Sequence, residues 1–207
     1  MAETLLKIEG LKTHFFTEAG VVKAIDNVSF EVKKGESLGL VGESGSGKTV
    51  TALSVLKIVP KPGKIIEGKI IYQGKNLLEC TEKEIQEIRG KEIAIIFQDP
   101  SSSLNPVYTV ETQLRDILTA HESLTKEECR KKTLDLLNLV GIPEAEIRMK
   151  EFPHQFSGGM KQRVAIARAL ALHPTLLFAD EPTTSLDVTI QAQVLDLLED
   201  LKKEGLV

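Results

Sequence analysis

At 207 residues, 42% of them hydrophobic, the chain is long enough to bury a substantial core in one domain with room for a subdomain. Its 26 basic and 30 acidic side chains leave a net charge of only −4, and aromatic residues make up 4% with no tryptophan. That balance lacks both the basic excess of a dedicated nucleic-acid binder and the rings of a base-stacking surface, so no nucleic acid is expected as a partner. Cys80 and Cys129 stand far apart without CxxC spacing, which suits two reduced thiols in a cytosolic protein. MAETLLKIEG lacks the apolar stretch of a secretory leader, and no run approaches the roughly 18 apolar residues of a membrane span.

In chain order, LLKIEGLKTHFF (5–16), VVKAIDNVSFEVKKGE (21–36) and GKIIYQGKNLL (68–78) hold short alternating or β-branched runs broken by glycine and charged turns. They predict strands, several of them antiparallel. Between them, ESLGLVGESGSGKTVTALSVLKI (36–58) runs from an apolar strand through a glycine loop into a helix. EIAIIFQDP (92–100) is a short buried strand ending in a polar turn, and residues 111–151 carry helical periodicity and high charge, predicting two or three helices. SGGMKQRVAIARALALHP then predicts a helix with Met160, Val164, Ala167 and Ala171 on one face, stopped by Pro174. TLLFADEP is a strand ending in two carboxylates, and QAQVLDLLEDLKKEG is an amphipathic helix. The alternation of strands and helices predicts an α/β fold with a mainly parallel sheet.

Gly42-Glu43-Ser44-Gly45-Ser46-Gly47-Lys48-Thr49 fits GxxxxGK[ST] between a strand and a helix. Glycines at those places let the backbone curl so that successive N–H groups face one concavity, and the helix N-terminus adds its positive dipole end. A polyphosphate suits such a site, with Lys48 reaching the β- and γ-phosphates and the Thr49 hydroxyl ligating Mg²⁺. A glycine turn that merely precedes a lysine would share the letters, but not the strand and helix on either side.

A second cluster lies at the end of LLFADE. Ligands in open α/β sheets bind beyond the carboxyl ends of strands, so Asp180 and Glu181 are expected near the phosphate loop. Asp180 would hold the Mg²⁺ shell, and Glu181 is the candidate base for an attacking water. An ordinary strand exit into a proline turn has the same composition; the phosphate loop upstream favours the functional reading. Gln98, ending IIFQDP, offers an amide oxygen for Mg²⁺ or water, though alone it reads as a surface residue.

Ser157-Gly158-Gly159 is an unusual way to begin a helix, because glycines weaken helices and carry no side chain to pack. Ser157 as an N-cap explains the serine and one glycine. A second anion site at a helix N-terminus explains all three. Two phosphate sites in one chain make sense when the second serves the nucleotide of another copy, as in a head-to-tail dimer.

With these stretches assembled, the chain resembles the nucleotide-binding subunit of ABC transporters over nearly all its length. The family's Walker A resembles Gly42–Thr49, its Q-loop Gln98, its signature FSGGM at 156–160, its Walker B LLFADE, and its D-loop Ser185-Leu186-Asp187. VGESGSGKT, FQDPSSSLNPVYTV and HQFSGGMKQRVAIARAL are similar to the dipeptide, oligopeptide and nickel uptake branch. The resemblance implies a P-loop NTPase of the ABC type. Residues 1–98 and 166–207 would form a RecA-like ATP-binding core with an N-terminal antiparallel β subdomain, and residues 99–165 a helical subdomain.

It further implies that ATP lies against Gly42 to Thr49 and Val50 of one copy and against Ser157, Gly158, Gly159 and Asp187 of the other. Mg²⁺ would be held by Thr49, Gln98 and Asp180, and Lys48, Gln98 and Glu181 would serve catalysis. Phe15 stands where an aromatic stacks on adenine, with Phe16 close behind, and core packing is an equal reading for either ring. The implied partners are a second ATPase subunit, membrane permease subunits and, indirectly, an extracytoplasmic substrate-binding protein, at the cytoplasmic face of the membrane.

Family members continue to a further strand and a switch histidine. The histidines here (14, 121, 154 and 173) all precede LLFADE, and Leu206-Val207 reads as the start of that strand, so the chain is expected to be C-terminally truncated. Competing classes fit less well. Translation ABC proteins carry two such domains, and repair members insert a coiled coil before the signature. Small GTPases need an NKxD tetrapeptide, which is missing. A binding module without turnover remains the alternative.

Overall fold

The computed structural model describes residues 3–184, 186–203 and 205, apart from the Thr189 side chain. Ser185 of the expected D-loop and the expected strand start at Leu206-Val207 lie outside the described residues. The chain divides into two compact units, Met1–Gln86 and Glu87–Val207.

The first unit is built on a sheet in the order β2-β1-β3-β4. β1 (Thr4–Thr17) and β2 (Gly20–Lys33) form a hairpin, and β3 (Gly63–Tyr72) pairs antiparallel along the other edge of β1. β4 (Lys75–Asn76) closes a second hairpin on β3. The alternation read from the sequence puts Leu6, Ile8, Leu11 and Ile70 in the core. α1 (Lys48–Val55) packs beside β2 with Ala52 and Val55 buried. A buried hydroxyl pair, Thr13 Oγ1 and Ser54 Oγ at 3.0 Å, fixes α1 to β1. α2 (Glu82–Ile88) lies at the division between the units.

Two expectations need correction here. Residues 37–41 were expected as an apolar strand, yet no strand forms; Leu38, Leu40 and Val41 are 43%, 42% and 99% exposed. Every ladder of this unit is antiparallel and none includes residues 37–41, so no backbone pairing within the unit holds the segment extended. Nor is the sheet mainly parallel. Short glycine and charged turns join β1 to β2 and β3 to β4, and such turns close hairpins. Parallel pairing among the described residues is confined to the second unit.

There, β5 (Ile93–Ile96) pairs in parallel with β6 (Leu176–Ala179). A short helix α3 (Pro100–Ser103) follows β5, and α4 (Val110–His121), α5 (Lys126–Leu139) and α6 (Ala145–Arg148) realise the helices expected over 111–151. α5 begins with a capping box: Thr125 Oγ1 accepts from the Glu128 N–H, and the Glu128 carboxylate accepts from the Thr125 N–H at 2.8 Å. α7 (Gly158–Leu170) is the central helix, with Val164, Ile166 and Ala167 wholly buried among Leu114, Leu118, Leu137 and Met149. α8 (Val188–Lys203) completes the unit through Val194 and Leu201. Among the described residues no helix is long and apolar enough to cross a membrane. Cys80 and Cys129 are free and buried.

Candidate functional site

The phosphate loop of the first unit turns tightly, with the Ser46 N–H donating to the Glu43 carbonyl at 3.2 Å. Gly47 caps α1 at φ 94°, where a side chain is strained, and a Cβ there would stand 2.3 Å from the Ala24 carbonyl oxygen. The glycine therefore lets the start of α1 lie directly on β2. α1 carries no acidic residue in its first turn, so its own side chains leave the positive end of its dipole open to an anion. Lys48 Nζ reaches back across the loop and donates to the Gly42 carbonyl (2.8 Å) and the Glu43 carbonyl (3.0 Å). Its ammonium is thus held over the concavity that the glycines create. Ser44, Gly45, Ser46 and Thr49 are exposed, and Val50 is half-buried.

In the second unit the parallel register Ile96↔Ala179 brings the carboxyl ends of β5 and β6 side by side. The Asp180 N–H extends the ladder to the Ile96 carbonyl at 2.9 Å. Immediately beyond, Gln98 Nε2 donates to Glu181 Oε2 at 3.0 Å, and Thr184 Oγ1 donates to the same oxygen at 3.2 Å. Glu181 adopts φ 44°, a strained backbone for a side chain of this size and the kind found where a group must be aimed. Residues that the sequence placed at separate strand ends, Gln98 and Glu181, are in hydrogen-bond contact. α3 follows Gln98 and is fastened to α7 by Arg168, whose Nη1 donates to the Ser103 carbonyl and whose burial lowers its pKa.

Ser157 does N-cap α7: its Oγ accepts from the Met160 N–H at 3.3 Å. The expectation that the following glycines pack nothing is wrong for Gly159. A Cβ built there would lie 2.8 Å from Ile190 Cγ2, so α8 approaches α7 where a side chain is absent. Asp187, expected at the nucleotide, caps α8, its Oδ1 accepting from the Ile190 N–H at 3.0 Å. Phe15 is half-buried with its ring edge against Gly63, while Phe16 is 45% exposed under Lys64 Nζ, 5.7 Å from the ring centre.

Sequence reasoning passed over Gln113. Only 7% exposed, it donates to the carbonyls of Asn105 and Tyr108, both at 3.0 Å, and accepts from the Asn105 N–H at 2.9 Å. It pins the loop after α3 from beneath, and no local pattern marks a glutamine inside an amphipathic helix for that task.

For a metal, the candidate donors Thr49, Gln98 and Asp180 are a hydroxyl, an amide oxygen and a carboxylate. These hard oxygens, with no thiol or imidazole among them, fit Mg²⁺, which keeps several waters and takes few protein ligands. Among the described residues no group of three or more histidine, cysteine, aspartate and glutamate side chains forms a cage for a metal.

A glycine loop feeding a helix in the first unit, and in the second a strand-end carboxylate, Glu181, bonded to a glutamine, are features of the P-loop class of nucleotide-binding proteins. Within that class the chain belongs to the ABC transporter family, whose pattern matches residues 25–184. It is 53% identical over 201 residues to the oligopeptide transport ATP-binding protein OppD of Bacillus subtilis, covering 97% of this chain and 56% of that protein. It is 47% identical over 200 residues to the dipeptide transport ATP-binding protein DppD of Escherichia coli, covering 97% of this chain and 61% of that protein. The chain thus spans between half and two thirds of the length of these relatives. Among solved structures, the ATP-binding cassette MJ0796, described as a dimer in a post-hydrolysis state bound to ADP and Pi, matches with a TM-score of 0.86. That match has 29% identity and covers 97% of this chain and 84% of the other. The fold is that of an ABC-type ATPase cassette, with an antiparallel β portion and a helical portion.

Proposed function

We propose that the chain is the ATP-binding and hydrolysing motor of a peptide-type ABC importer, acting as one half of a head-to-tail pair. The observation that carries this reading is the Gln98–Glu181 hydrogen bond at adjacent strand ends, because it joins the candidate base to the amide proposed to orient its water. The 46–53% identity to oligopeptide and dipeptide transport proteins supports the substrate class.

In this reading the 42–49 backbone and Lys48 bind the phosphates, and Val50 follows in the same helix. Ser157, Gly158 and Gly159 of the second copy cover the γ-phosphate, with Asp187 nearby. Glu181 takes a proton from the attacking water, and Gln98 orients that water through their shared hydrogen bond. Mg²⁺, held by Thr49, Gln98 and Asp180, would neutralise charge on the phosphates. Phe15 or Phe16 stacks on the adenine.

Closure on ATP and opening after hydrolysis would drive permease subunits at the cytoplasmic face of the membrane, since the nucleotide favours only the closed pair. An extracytoplasmic binding protein would supply the peptide. The loop after Gln98, pinned by Gln113, is the proposed docking surface. Residues 1–98 and 166–207 are proposed as the ATP core, and 99–165 as the helical subdomain.

The test is light scattering of Glu181→Gln with and without Mg-ATP, beside phosphate release by the parent chain. A dimer that appears only with ATP, and turnover in the parent that the variant loses, are expected. Hydrolysis retained by Glu181→Gln would remove the proposed base, and a chain that stays monomeric with bound ATP would remove the sandwich.

A further inference from the structure

Three contacts join the start of α8 to the start of α7. Leu186, just before α8, has its Cδ2 3.9 Å from where a Cβ on Gly158 would stand. Ile190 Cγ2 occupies the space a Cβ on Gly159 would need. One turn further along both helices, Arg163 Nη2 donates to Gln193 Oε1 at 3.0 Å. Contacts at Gly159 and Arg163 on one helix, and at Ile190 and Gln193 on the other, are neighbours on a helix face. Two contacts one turn apart fix both the slide and the rotation of one helix on the other.

The same guanidinium is also held from the side of α5. Arg163 Nη1 donates to the Val140 carbonyl, the C-cap of α5, at 2.6 Å. It sits where a Cβ on Gly141 would come within 2.9 Å. A cation at the last carbonyls of α5 is favoured by that helix's dipole. The D-loop end of α8 is equally tied. Asp187 Oδ1 accepts from the N–H of Ile190 itself, and Gln191 Nε2 donates to the Leu186 carbonyl at 2.9 Å. The residue whose backbone is captured by the D-loop aspartate is therefore the residue whose side chain seats on Gly159.

From this geometry we infer that Arg163 and Ile190 are positioning residues through which the D-loop and α8 set the Ser157-Gly158-Gly159 turn of the same chain. Gly159 then answers to two demands, a close approach by Ile190 from the side and, in the ATP-sandwich reading, a close approach by the partner's nucleotide at the head of α7. The functional consequence rests on the ATP-sandwich reading: whatever Asp187 meets across the pair is passed to the turn that covers the partner's nucleotide.

The experiment compares Gln193→Ala, Arg163→Lys, Gly159→Ala and the size swap Gly159→Ala/Ile190→Ala, using hydrogen exchange, nucleotide affinity and, in the Glu181→Gln background, ATP-dependent dimerisation. Gln193→Ala and Arg163→Lys each remove a hydrogen bond of a charged group. We expect amide exchange at Met160 and Lys161 to rise about tenfold in both, with residues 165–170 unchanged. ATP affinity of the single chain should hold within about twofold while the dimer weakens about tenfold. Gly159→Ala should disturb the same amides, and Ile190→Ala should restore them in the double variant by removing the methyl it strikes. Unchanged exchange at Met160 and Lys161 would overturn the coupling. So would exchange that rises evenly along α7, or an Ile190→Ala change that gives no rescue. If instead the exchange pattern appears but the Glu181→Gln parent binds ATP without dimerising, the coupling stands and the sandwich reading falls.

Discussion

Replacing Gly47 by alanine isolates what the phosphate loop asks of its backbone. At φ 94° and ψ 5° a non-glycine residue lies outside the favoured regions, a strain of roughly 1–2 kcal/mol. The new Cβ would also stand 2.3 Å from the Ala24 carbonyl oxygen and 3.5 Å from Ile25 Cγ1. The oxygen is a backbone atom of β2, at a register shift of the β1–β2 ladder, so relief requires moving α1 off β2 or shifting that strand, an overpacking penalty of about 1–3 kcal/mol. Together the two effects amount to about 2–5 kcal/mol, a large share of the 5–15 kcal/mol typical of a domain.

Gly45 supplies the control. It too has positive φ, at 80°, but a Cβ there meets nothing within 4 Å, so Gly45→Ala carries the conformational strain alone. Urea unfolding of both variants, at constant m-value, should place Gly47→Ala below Gly45→Ala by about 1–3 kcal/mol. Fluorescent-ATP titration should show Gly47→Ala losing the greater part of its affinity, because the N–H groups of the loop ride on the start of α1. Equal midpoints for the two variants would refute the argument that contact with Ala24, rather than φ, dictates glycine at position 47.

Lys48→Ala should weaken ATP binding roughly 10- to 100-fold by calorimetry, the loss of one charge-assisted contact to phosphate, with a native circular dichroism spectrum. Gln113→Leu should lower stability by about 2–4 kcal/mol, since it leaves the Asn105 N–H and the Asn105 and Tyr108 carbonyls without their partner, and limited proteolysis should then cut within 104–109. Glu84 accepts from Lys75 at 2.7 Å and from the Thr81 N–H and hydroxyl, both at 2.8 Å, and these bonds, that from Lys75 foremost, lower its pKa from 4.5 to about 2. A depressed acid stabilises the fold fully above pH 4.5 and loses that contribution as pH falls toward 2, so carboxyl NMR should titrate Glu84 near pH 2 and Lys75→Met should raise its midpoint.

The parts of the site that were legible in the sequence are those where chemistry demands particular residue types at particular spacings. A phosphate needs glycines and a lysine in one short loop, and the pair proposed to activate water calls for a carboxylate and an amide at neighbouring strand ends. The Gln98–Glu181 bond joins residues 83 apart in sequence, yet each was marked by its own strand end. Partner choice was less legible. The run LGLV at 38–41 has the letters of a buried strand, but letters do not say whether a parallel neighbour lies within reach, and in its own unit none does.

Gly159 shows a deeper limit. From the sequence, its lack of a side chain reads as room for a phosphate; in the fold, Ile190 of α8 takes the place its Cβ would occupy. Both demands select the same residue type, so the sequence cannot separate them. They differ in direction, because a phosphate would meet the N–H groups at the head of α7, while Ile190 bears on the side of the same turn. A glycine that serves both is a point where packing and ligand act on one piece of backbone. Arg163 and Gln193, one turn away and with no motif of their own, are what keep the two in register.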